Sequence, residues 1–479
     1  MSGKVYLVGG GPGAIDLYTL KAIECIKKAD CIVYDRLIDP KILNYCKLEC
    51  EKIYVGKAAS RHTLPQAQIN QLLVEKAQQY QTVVRLKGGD VYVFGRGGEE
   101  GLVLKAAKID FEVVPGLSSA LAGLCYAGIP ITHRNLASGF TVITAHHKNN
   151  QDDQWDYHQF LNDDLTYVFM MGHEKLEQIV TSLKAAGKKE DTPIALISNA
   201  TRVNQKSIYG TLANIIDQFK QSNLTSPMLI VVGKVVSLHQ ELDFYQKKRL
   251  LNKKVLVACV SDNELIISKY FKEQGAFVKQ LQLGKIDYLI CQDVIDFNHK
   301  LIVFTSQNGI KGFFNYLNIK KIDHRELANV RFACIGQKTA RLLLQYGYCS
   351  DLVSRQANSY DFNSYLKNNI HKDEQLLIIR AKERSNIEKI TIQDQELIVY
   401  ENKELMVCEN ECYDLVCFTC ASSVVRLAKC NADFKIALSI GPMTTQALKQ
   451  YYPEVKVIEA DDSSYEGMIK VIKENINVL

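Results

Sequence analysis

No stretch of this sequence approaches the roughly 20 consecutive apolar residues that would cross a bilayer, and no basic-then-apolar segment precedes the first strand pattern at Val5. Membrane partners are therefore not expected, and the expected location is cytoplasmic. A dominant charge sign is lacking too: 58 basic residues against 53 acidic ones leave only +5 over 479 residues. With no dense Lys/Arg block and no aromatic RNA-reading motif, nucleic acid is excluded as the expected partner, which leaves small molecules. A disulfide framework is missing as well, because the 14 cysteines are scattered and many sit inside apolar strand patterns such as Asp30-Cys31-Ile32-Val33. Cys417-Phe-Thr-Cys420 has the spacing of a metal clip, but residues three apart on a strand point to opposite faces, so no metal site is expected.

What is present is ordinary globular sequence, 47% hydrophobic and 23% charged, long enough for about three or four domains. Apolar runs at 5–8, 31–34, 82–86, 111–114, 141–144, 166–171, 193–197 and 228–232 alternate with helical patterns. That rhythm predicts an α/β architecture with a largely parallel sheet, in which ligands gather at the carboxyl ends of strands. The runs are followed there by Gly9-Gly-Gly-Pro-Gly13, Asp35-Arg36, Lys87-Gly-Gly-Asp90, Pro115-Gly-Leu-Ser-Ser119, Met171-Gly172 and Asn199-Ala-Thr201. A polar, basic stretch at 243–252 precedes a new strand at 254–259 and marks a domain junction. Beyond it the chain repeats itself at an offset of 105 residues: Ile335-Gly-x-x-Thr339 matches Ile440-Gly-x-x-Thr444, and Ser359-Tyr360 matches Ser464-Tyr465. Phe304-Thr-Ser306-Gln-Asn308 and Phe418-Thr-Cys420-Ala-Ser422 are related at an offset nine residues longer. The second half is thus expected to be two similar α/β lobes facing across a cleft.

The most informative segment runs from Arg85 to Glu100 and holds five glycines and three cations in sixteen residues. Glycine lets backbone approach a ligand closely, and Arg85, Lys87 and Arg96 are expected to supply a positive field for an anionic one; a basic surface turn is the plainer reading. A rival signal stands at the N-terminus, where Gly9-x-Gly11-x-x-Ala14 and Asp35 meet a loose dinucleotide-binding fingerprint, as in a nicotinamide or flavin oxidoreductase. Against it, Pro12 and Gly13 lie inside the turn and the helical pattern starts only after Asp16, read as the N-cap of a helix over 17–29.

Val5-Tyr-Leu-Val-Gly-Gly-Gly-Pro-Gly13, Val33-Tyr-Asp-Arg36, Tyr54-Val-Gly-Lys57, Arg61-His62 and the glycine segment, continuing through Phe111-Glu-Val-Val-Pro-Gly116, Tyr126-Ala-Gly-Ile-Pro-Ile-Thr-His-Arg134 and Ser226-Pro-Met-Leu-Ile-Val-Val-Gly233, resemble uroporphyrinogen-III C-methyltransferases over residues 1–246. Residues 253–479 more loosely resemble uroporphyrinogen-III synthase, through the threonine-bearing strand ends and both Ile-Gly-x-x-Thr turns. The resemblance implies a two-lobed tetrapyrrole methyltransferase fold, with lobes at about 1–115 and 116–246, followed by a two-lobed synthase fold. It implies a bifunctional enzyme that cyclises hydroxymethylbilane to uroporphyrinogen III and methylates that product at C2 and C7 from S-adenosylmethionine, giving precorrin-2, whose end product (sirohaem, cobalamin or another) the sequence leaves open. By analogy the chain is a homodimer through its methyltransferase half. The alternative keeps the methyltransferase and makes the second half an inert tetrapyrrole-binding module, a doubt raised by Cys420 where the related motif has Ser306.

Residue by residue, the resemblance places Pro12, Gly88, Gly89, Asp90, Val93, Ser118, Ser119, Met171 and Ala200 at S-adenosylmethionine, Asp35 as proton acceptor and Lys57 as proton donor. Arg36, Arg61, His62, Arg96, His133 and Arg134 are the cations expected for the tetrapyrrole carboxylates, and Thr305, Ser306, Asn308, Thr339, Thr419, Ser422 and Thr444 the expected substrate contacts of the synthase half. Plainer roles stand beside these: Asp90 capping its own turn, Asp35 paired with Arg36 or capping a strand end, Lys57 as a solvated cation, and each synthase hydroxyl as a helix N-cap. Ala200, where the family has glycine, is expected to press a methyl group on the adenosine side.

Overall fold

Strands form where the apolar runs lie because each is short, β-branched or aromatic, and bounded by turn residues. The computed structural model describes residues 2–56, 64–145, 155–261, 264–292, 294–354, 359–382, 389 and 394–475. The chain divides into two units, Met1–Asn252 and Lys253–Leu479. The polar stretch at 243–252 belongs to the first, where the Tyr245 hydroxyl donates to Thr201 O.

In the first unit, β1 (Lys4–Gly9), β2 (Cys31–Tyr34), β3 (Glu51–Tyr54), β4 (Thr82–Lys87) and β5 (Phe111–Val114) form an all-parallel sheet in the order β3-β2-β4-β1-β5. A second sheet holds β6 (Gly139–Thr144), β7 (Leu165–Met170), β8 (Pro193–Ser198), β9 (Lys206–Thr211) and β10 (Met228–Val232) in the order β6-β7-β10-β8-β9. Here the expectation of a largely parallel sheet fails, since only β6 and β7 run parallel while β10 is antiparallel to both neighbours and β9 folds back on β8. The reason is loop length: only residues 199–205 link β8 to β9, too few for the crossover that parallel neighbours need. The helix expected over 17–29 is shorter, Leu20–Lys28, and its cap is Thr19, whose Oγ1 accepts the Ala22 N–H at 3.1 Å, and not Asp16.

β4 overturns a second expectation. Arg85 and Lys87, two apart, emerge on one face of the strand and are 3% and 4% exposed. Both meet Glu100, fully buried on the helix Gly97–Ala106: its Oε1 accepts from Arg85 Nε at 3.1 Å, Lys87 Nζ at 2.8 Å and Gln66 Nε2 at 3.1 Å. These cations face their own helix and not a ligand, because burying them demands a counter-charge. Burial, helped by Arg85, pulls the Lys87 ammonium below the usual lysine range while Glu100 opposes the shift.

In the second unit, β11 (Lys254–Cys259), β12 (Phe277–Gln282), β13 (Gly284–Tyr288), β14 (Lys300–Phe304), β15 (Arg331–Cys334), β16 (Leu352–Val353), β17 (Gln375–Ala381), β18 (Gln395–Glu404), β19 (Cys412–Tyr413), β20 (Leu415–Phe418), β21 (Asp433–Phe434), β22 (Ile436–Ser439) and β23 (Lys456–Glu459) build two principal sheets. Their orders are β12-β11-β20-β22-β23, all parallel, and β13-β18-β17-β14-β15-β16, parallel but for β13 on β18. The repeat maps onto equivalent positions, with Phe304 and Phe418 ending β14 and β20, and the Ile-Gly turns following β15 and β22. The nine-residue change of offset is an insertion: 26 residues separate β14 from β15, including a 14-residue helix, and 17 separate β20 from β22, with a helix of 7. Among the described residues no helix is long and apolar enough to cross a membrane.

The buried ionic cluster makes a stability prediction. Trp155, the chain's one tryptophan, lies in the first unit against Phe160 and reports its unfolding by fluorescence. Glu100→Gln leaves two buried cations short of their counter-charge and lowers the urea unfolding free energy by about 3–5 kcal/mol. Glu177→Gln, which opens the exposed pair with Lys220, changes it by less than about 1 kcal/mol.

Candidate functional site

At the carboxyl edge of the first sheet, the loops after β1, β4 and β5 touch backbone to backbone. Gly10 N–H donates to Lys87 O at 2.7 Å, Gly89 N–H to Gly11 O at 2.7 Å and Gly11 N–H to Gly89 O at 3.1 Å. A β-carbon at Gly116 would stand 2.4 Å from Gly89 O and 2.7 Å from the Gly9 carbonyl carbon, so no side chain fits there. Gly89 is left-handed, with φ +71°, and the side a β-carbon would occupy is open for 4 Å. This arrangement disposes of the dinucleotide fingerprint: the Gly10 and Gly11 amides are already bonded to the neighbouring loop, so they do not face a pyrophosphate as that motif requires.

Asp90 ties the loops together. Its Oδ1 accepts the Tyr92 and Val93 amides at 2.8 and 3.2 Å, and its Oδ2 the Gly116 amide at 3.1 Å. It therefore plays the capping role, and of about four acceptor positions on a carboxylate three are filled, leaving one for a ligand.

Above these loops lies a cavity of about 630 Å³ between the two lobes of the first unit. Pro12, Gly88, Gly89, Asp90, Val93, Ser118, Ser119, Met171 and Ala200 all line it, and so does Arg36. Strained backbone gathers around it: Phe94, Arg96, Met171, Asn199 and Thr201 have φ of +54°, +59°, +57°, +50° and +67°. Ser118 is buried and caps the helix Ser119–Cys125, its Oγ accepting the Ala120 N–H at 3.3 Å. The Ala200 methyl meets Gly123, where an added β-carbon would lie 2.9 Å away, and Ala200 is 7% exposed. Glycine at 123 thus leaves room for the Ala200 methyl on the side away from the opposite lobe's loops, while Ala200 still lines the cavity.

The remaining candidates are dispersed. Asp35 follows β2 beside the cavity; its Oδ1 accepts the Leu37 N–H at 3.2 Å and its Oδ2 meets Arg85 Nη2 at 3.4 Å, so its ion-pair partner is Arg85 and not Arg36. Arg96 is exposed and grips Glu99 through two bonds of 3.0 and 2.7 Å. His133 and Arg134 are exposed on a short turn in which His133 N–H donates to Ala137 O. Lys57, Arg61 and His62 lie outside the described residues. Sequence reasoning passed over Arg202, which lines the cavity and donates from Nη2 to Leu37 O at 2.7 Å. Its signal was weak, a single arginine in the loop after β8.

In the second unit, Ser306 caps the helix Gln307–Lys320, its Oγ accepting the Gly309 N–H at 3.0 Å, and it also pairs with the Tyr400 hydroxyl at 2.9 Å. Two residues further along β18, Asn402 Nδ2 donates to Ser422 Oγ at 3.4 Å. One strand thus brings together the serines of both lobes, and Tyr400 is a neighbour that sequence reasoning did not flag. Thr305, Asn308 and Thr419 are half-buried at the same loop starts, and Thr419 Oγ1 donates to Ala258 O. Thr339 and Thr444 are 5% and 3% exposed, which leaves little surface for a substrate. Among the described residues no group of three or more His, Cys, Asp or Glu is placed to hold a metal ion.

Two family models match the chain: tetrapyrrole (corrin/porphyrin) methylases over residues 4–216, and uroporphyrinogen-III synthase HemD over 285–470. The porphyrin biosynthesis protein HemD of Ruminiclostridium josui is 32% identical over 98% of this chain and 98% of its own length. Two further relatives match the first half alone. The uroporphyrinogen-III C-methyltransferase of Methanocaldococcus jannaschii is 48% identical over 50% of this chain and 98% of its own length. The S-adenosyl-L-methionine-dependent uroporphyrinogen III methyltransferase of Methanosarcina barkeri is also 48% identical, over 50% of this chain and 94% of its own. The chain belongs to the family of the Ruminiclostridium josui protein, joining a tetrapyrrole methylase half to a uroporphyrinogen-III synthase half.

Proposed function

We propose that the chain is a bifunctional tetrapyrrole enzyme, which cyclises hydroxymethylbilane to uroporphyrinogen III in its second unit and methylates that product at C2 and C7 in its first, giving precorrin-2. The observation that carries the methyltransferase reading is the convergence of nine motif residues from both lobes on one cavity. Its volume of about 630 Å³ lies within the range of small-molecule sites. The open side of Gly89 fits a ligand pressed close to backbone. S-adenosylmethionine, on which the Methanosarcina barkeri relative depends by name, supplies an activated methyl group when bound. Pro12, Gly88, Gly89, Val93, Ser119, Met171 and Ala200 would hold it, with the remaining acceptor position of Asp90.

The protein's part is alignment and exclusion of water, worth up to about 7–11 kcal/mol when two reactants are held in attacking geometry. The eight carboxylates of the tetrapyrrole call for cations, and Arg36, Arg61, His62, Arg96, His133 and Arg134 are assigned to them, each charged hydrogen bond contributing about 1.5–3 kcal/mol. Methylation of a pyrrole β-carbon that already bears a side chain leaves a positive charge on the ring system, which is discharged by loss of a proton from elsewhere in the macrocycle. Asp35 is assigned as its acceptor, its carboxylate steered by Arg85 and the Leu37 amide. Lys57 is assigned as donor. The chain acts as a homodimer through its methyltransferase half. In the synthase half the reaction needs a shaped, hydrogen-bonding cleft that directs the collapse of a reactive intermediate. Thr305, Ser306, Asn308, Thr419 and Ser422 are assigned to substrate there.

Mass spectrometry of the product formed from hydroxymethylbilane and S-adenosylmethionine tests the whole reading: a type III macrocycle carrying two added methyl groups is expected. Methylation only when uroporphyrinogen III is supplied would make the second unit inert, and an unmethylated type III product would overturn the methyltransferase assignment. Asp35→Asn is expected to keep affinity for S-adenosylhomocysteine, measured by calorimetry, while losing turnover; parallel loss of both would remove Asp35 from the substrate side. Gly89→Ala places its methyl in open space, so affinity for S-adenosylhomocysteine falls about tenfold or more while stability falls only by the left-handed strain of roughly 1–2 kcal/mol. Gly116→Ala meets backbone atoms and unfolds the first unit at markedly lower urea, read through Trp155.

A further inference from the structure

We propose that Arg202 is a positioning residue for methyl transfer, linking the turn that forms the second lobe's cavity wall to the first-lobe loop that carries Asp35. The inference rests on the reading of Asp35 as the proton acceptor.

The turn after β8 is held in a costly shape from several directions. Thr201 is β-branched yet left-handed, a genuine outlier for such a residue. Its amide donates to Gln205 Oε1 at 2.7 Å, its carbonyl accepts from the Tyr245 hydroxyl at 3.2 Å, and its Oγ1 accepts the Ala14 N–H of the opposite lobe at 3.2 Å. Gln205, itself 1% exposed, is anchored by a 2.7 Å bond from Nε2 to Tyr126 O. Strain maintained by so many partners is strain with a use, and what the turn delivers is Arg202.

The guanidinium reaches the first lobe through a gap made for it. A β-carbon on Gly13 would stand 2.7 Å from Arg202 Nε, so glycine there lets the side chain lie against the loop after β1. Arg202 Nη2 then donates to Leu37 O at 2.7 Å, while Leu37 N–H donates to Asp35 Oδ1 at 3.2 Å. One residue thus takes the arginine's bond at its carbonyl and gives its amide to the carboxylate. Ala200, two residues before Arg202, lines the cavity wall assigned to the cofactor, and Arg36 and Leu37 line it beside Asp35. Arg202 Nε is buried with no hydrogen-bond partner among the described residues, so a single bond across the lobes fixes the group. Releasing it frees the Asp35 loop and leaves the Ala200 turn held by Gln205, Tyr245 and Ala14.

The test compares intact wild-type chain with Arg202→Ala and Arg202→Lys in three measurements: kcat and KM for uroporphyrinogen III methylation, the dissociation constant of S-adenosylhomocysteine, and hydrogen exchange of amides 36–38. Arg202→Ala is expected to lower kcat about 10- to 100-fold, the cost of a small misplacement at the reacting centre. Affinity for S-adenosylhomocysteine should stay unchanged while amides 36–38 exchange faster. Arg202→Lys, whose ammonium can still reach one carbonyl, should recover part of both losses. Unchanged kcat or unchanged exchange at 36–38 overturns the proposal, and so does a loss of S-adenosylhomocysteine affinity in step with kcat, which would make Arg202 part of the cofactor wall. A wild-type chain that methylates nothing would instead overturn the methyltransferase reading. The exchange measurement then still decides whether Arg202 orders the loop.

Discussion

The methyltransferase half depends on one steric constraint: three loops from adjacent parallel strands must meet with nothing but backbone between them. Gly9 and Gly116 lie so close to each other and to the Gly89 carbonyl that a β-carbon on either would collide with main-chain atoms. With those atoms in contact, the reciprocal bonds between Gly11 and Gly89 and the Asp90 clasp on Gly116 follow, and the loops become a rigid floor. A floor made of backbone is flat and low, which explains how a cavity of about 630 Å³ remains where three loops crowd one sheet edge. The same sheet needs a solid underside, supplied by the buried Glu100 between Arg85 and Lys87. Charge is used here for structure, while the glycines shape the site.

How much of this was legible follows from the physics of each signal. All eight apolar runs of the first half lie in strands; six of them are buried along most of their length, which demands an unbroken apolar run that sequence displays openly. β3 and β9 escaped because they are half-buried and mixed in polarity, with Glu51 and Lys52 diluting the first and Lys206 and Gly210 the second. The antiparallel placement of β10 was invisible, since strand direction is set by connection geometry and not by composition. The glycine loop lines the cavity, as a ligand loop would, but two of its three cations were misjudged: a basic residue in a strand reads as exposed until its partner, thirteen or fifteen residues downstream, is brought beneath it. Arg202 lay beyond reach because its meaning comes from a carbonyl 165 residues away.

In the second unit the repeat was legible because equivalent turns keep the same Ile-Gly-x-x-Thr pattern, and its broken offset records a helix twice as long in one lobe as in the other. What the repeat could not reveal is that the two lobes meet through β18, whose Tyr400 and Asn402 touch Ser306 and Ser422 in turn. A hydroxyl at a loop start carries no mark of whether it caps a helix or faces a substrate. Ser306 shows that one oxygen does the first while a second group shares it.

The all-parallel sheet of the second unit is assembled from two distant pieces of chain, β11 and β12 ahead of residue 283 and β20, β22 and β23 beyond residue 414. As the chain leaves the ribosome, β11 waits for its partner β20 through more than 150 residues of synthesis. The strands of the intervening sheet, the last ending at Glu404, are all made before β20. Such long-range pairing is slow and leaves apolar strand edges open. Until β20 emerges, the otherwise buried β11 keeps that edge open, and a chaperone that shields apolar strands has its target there.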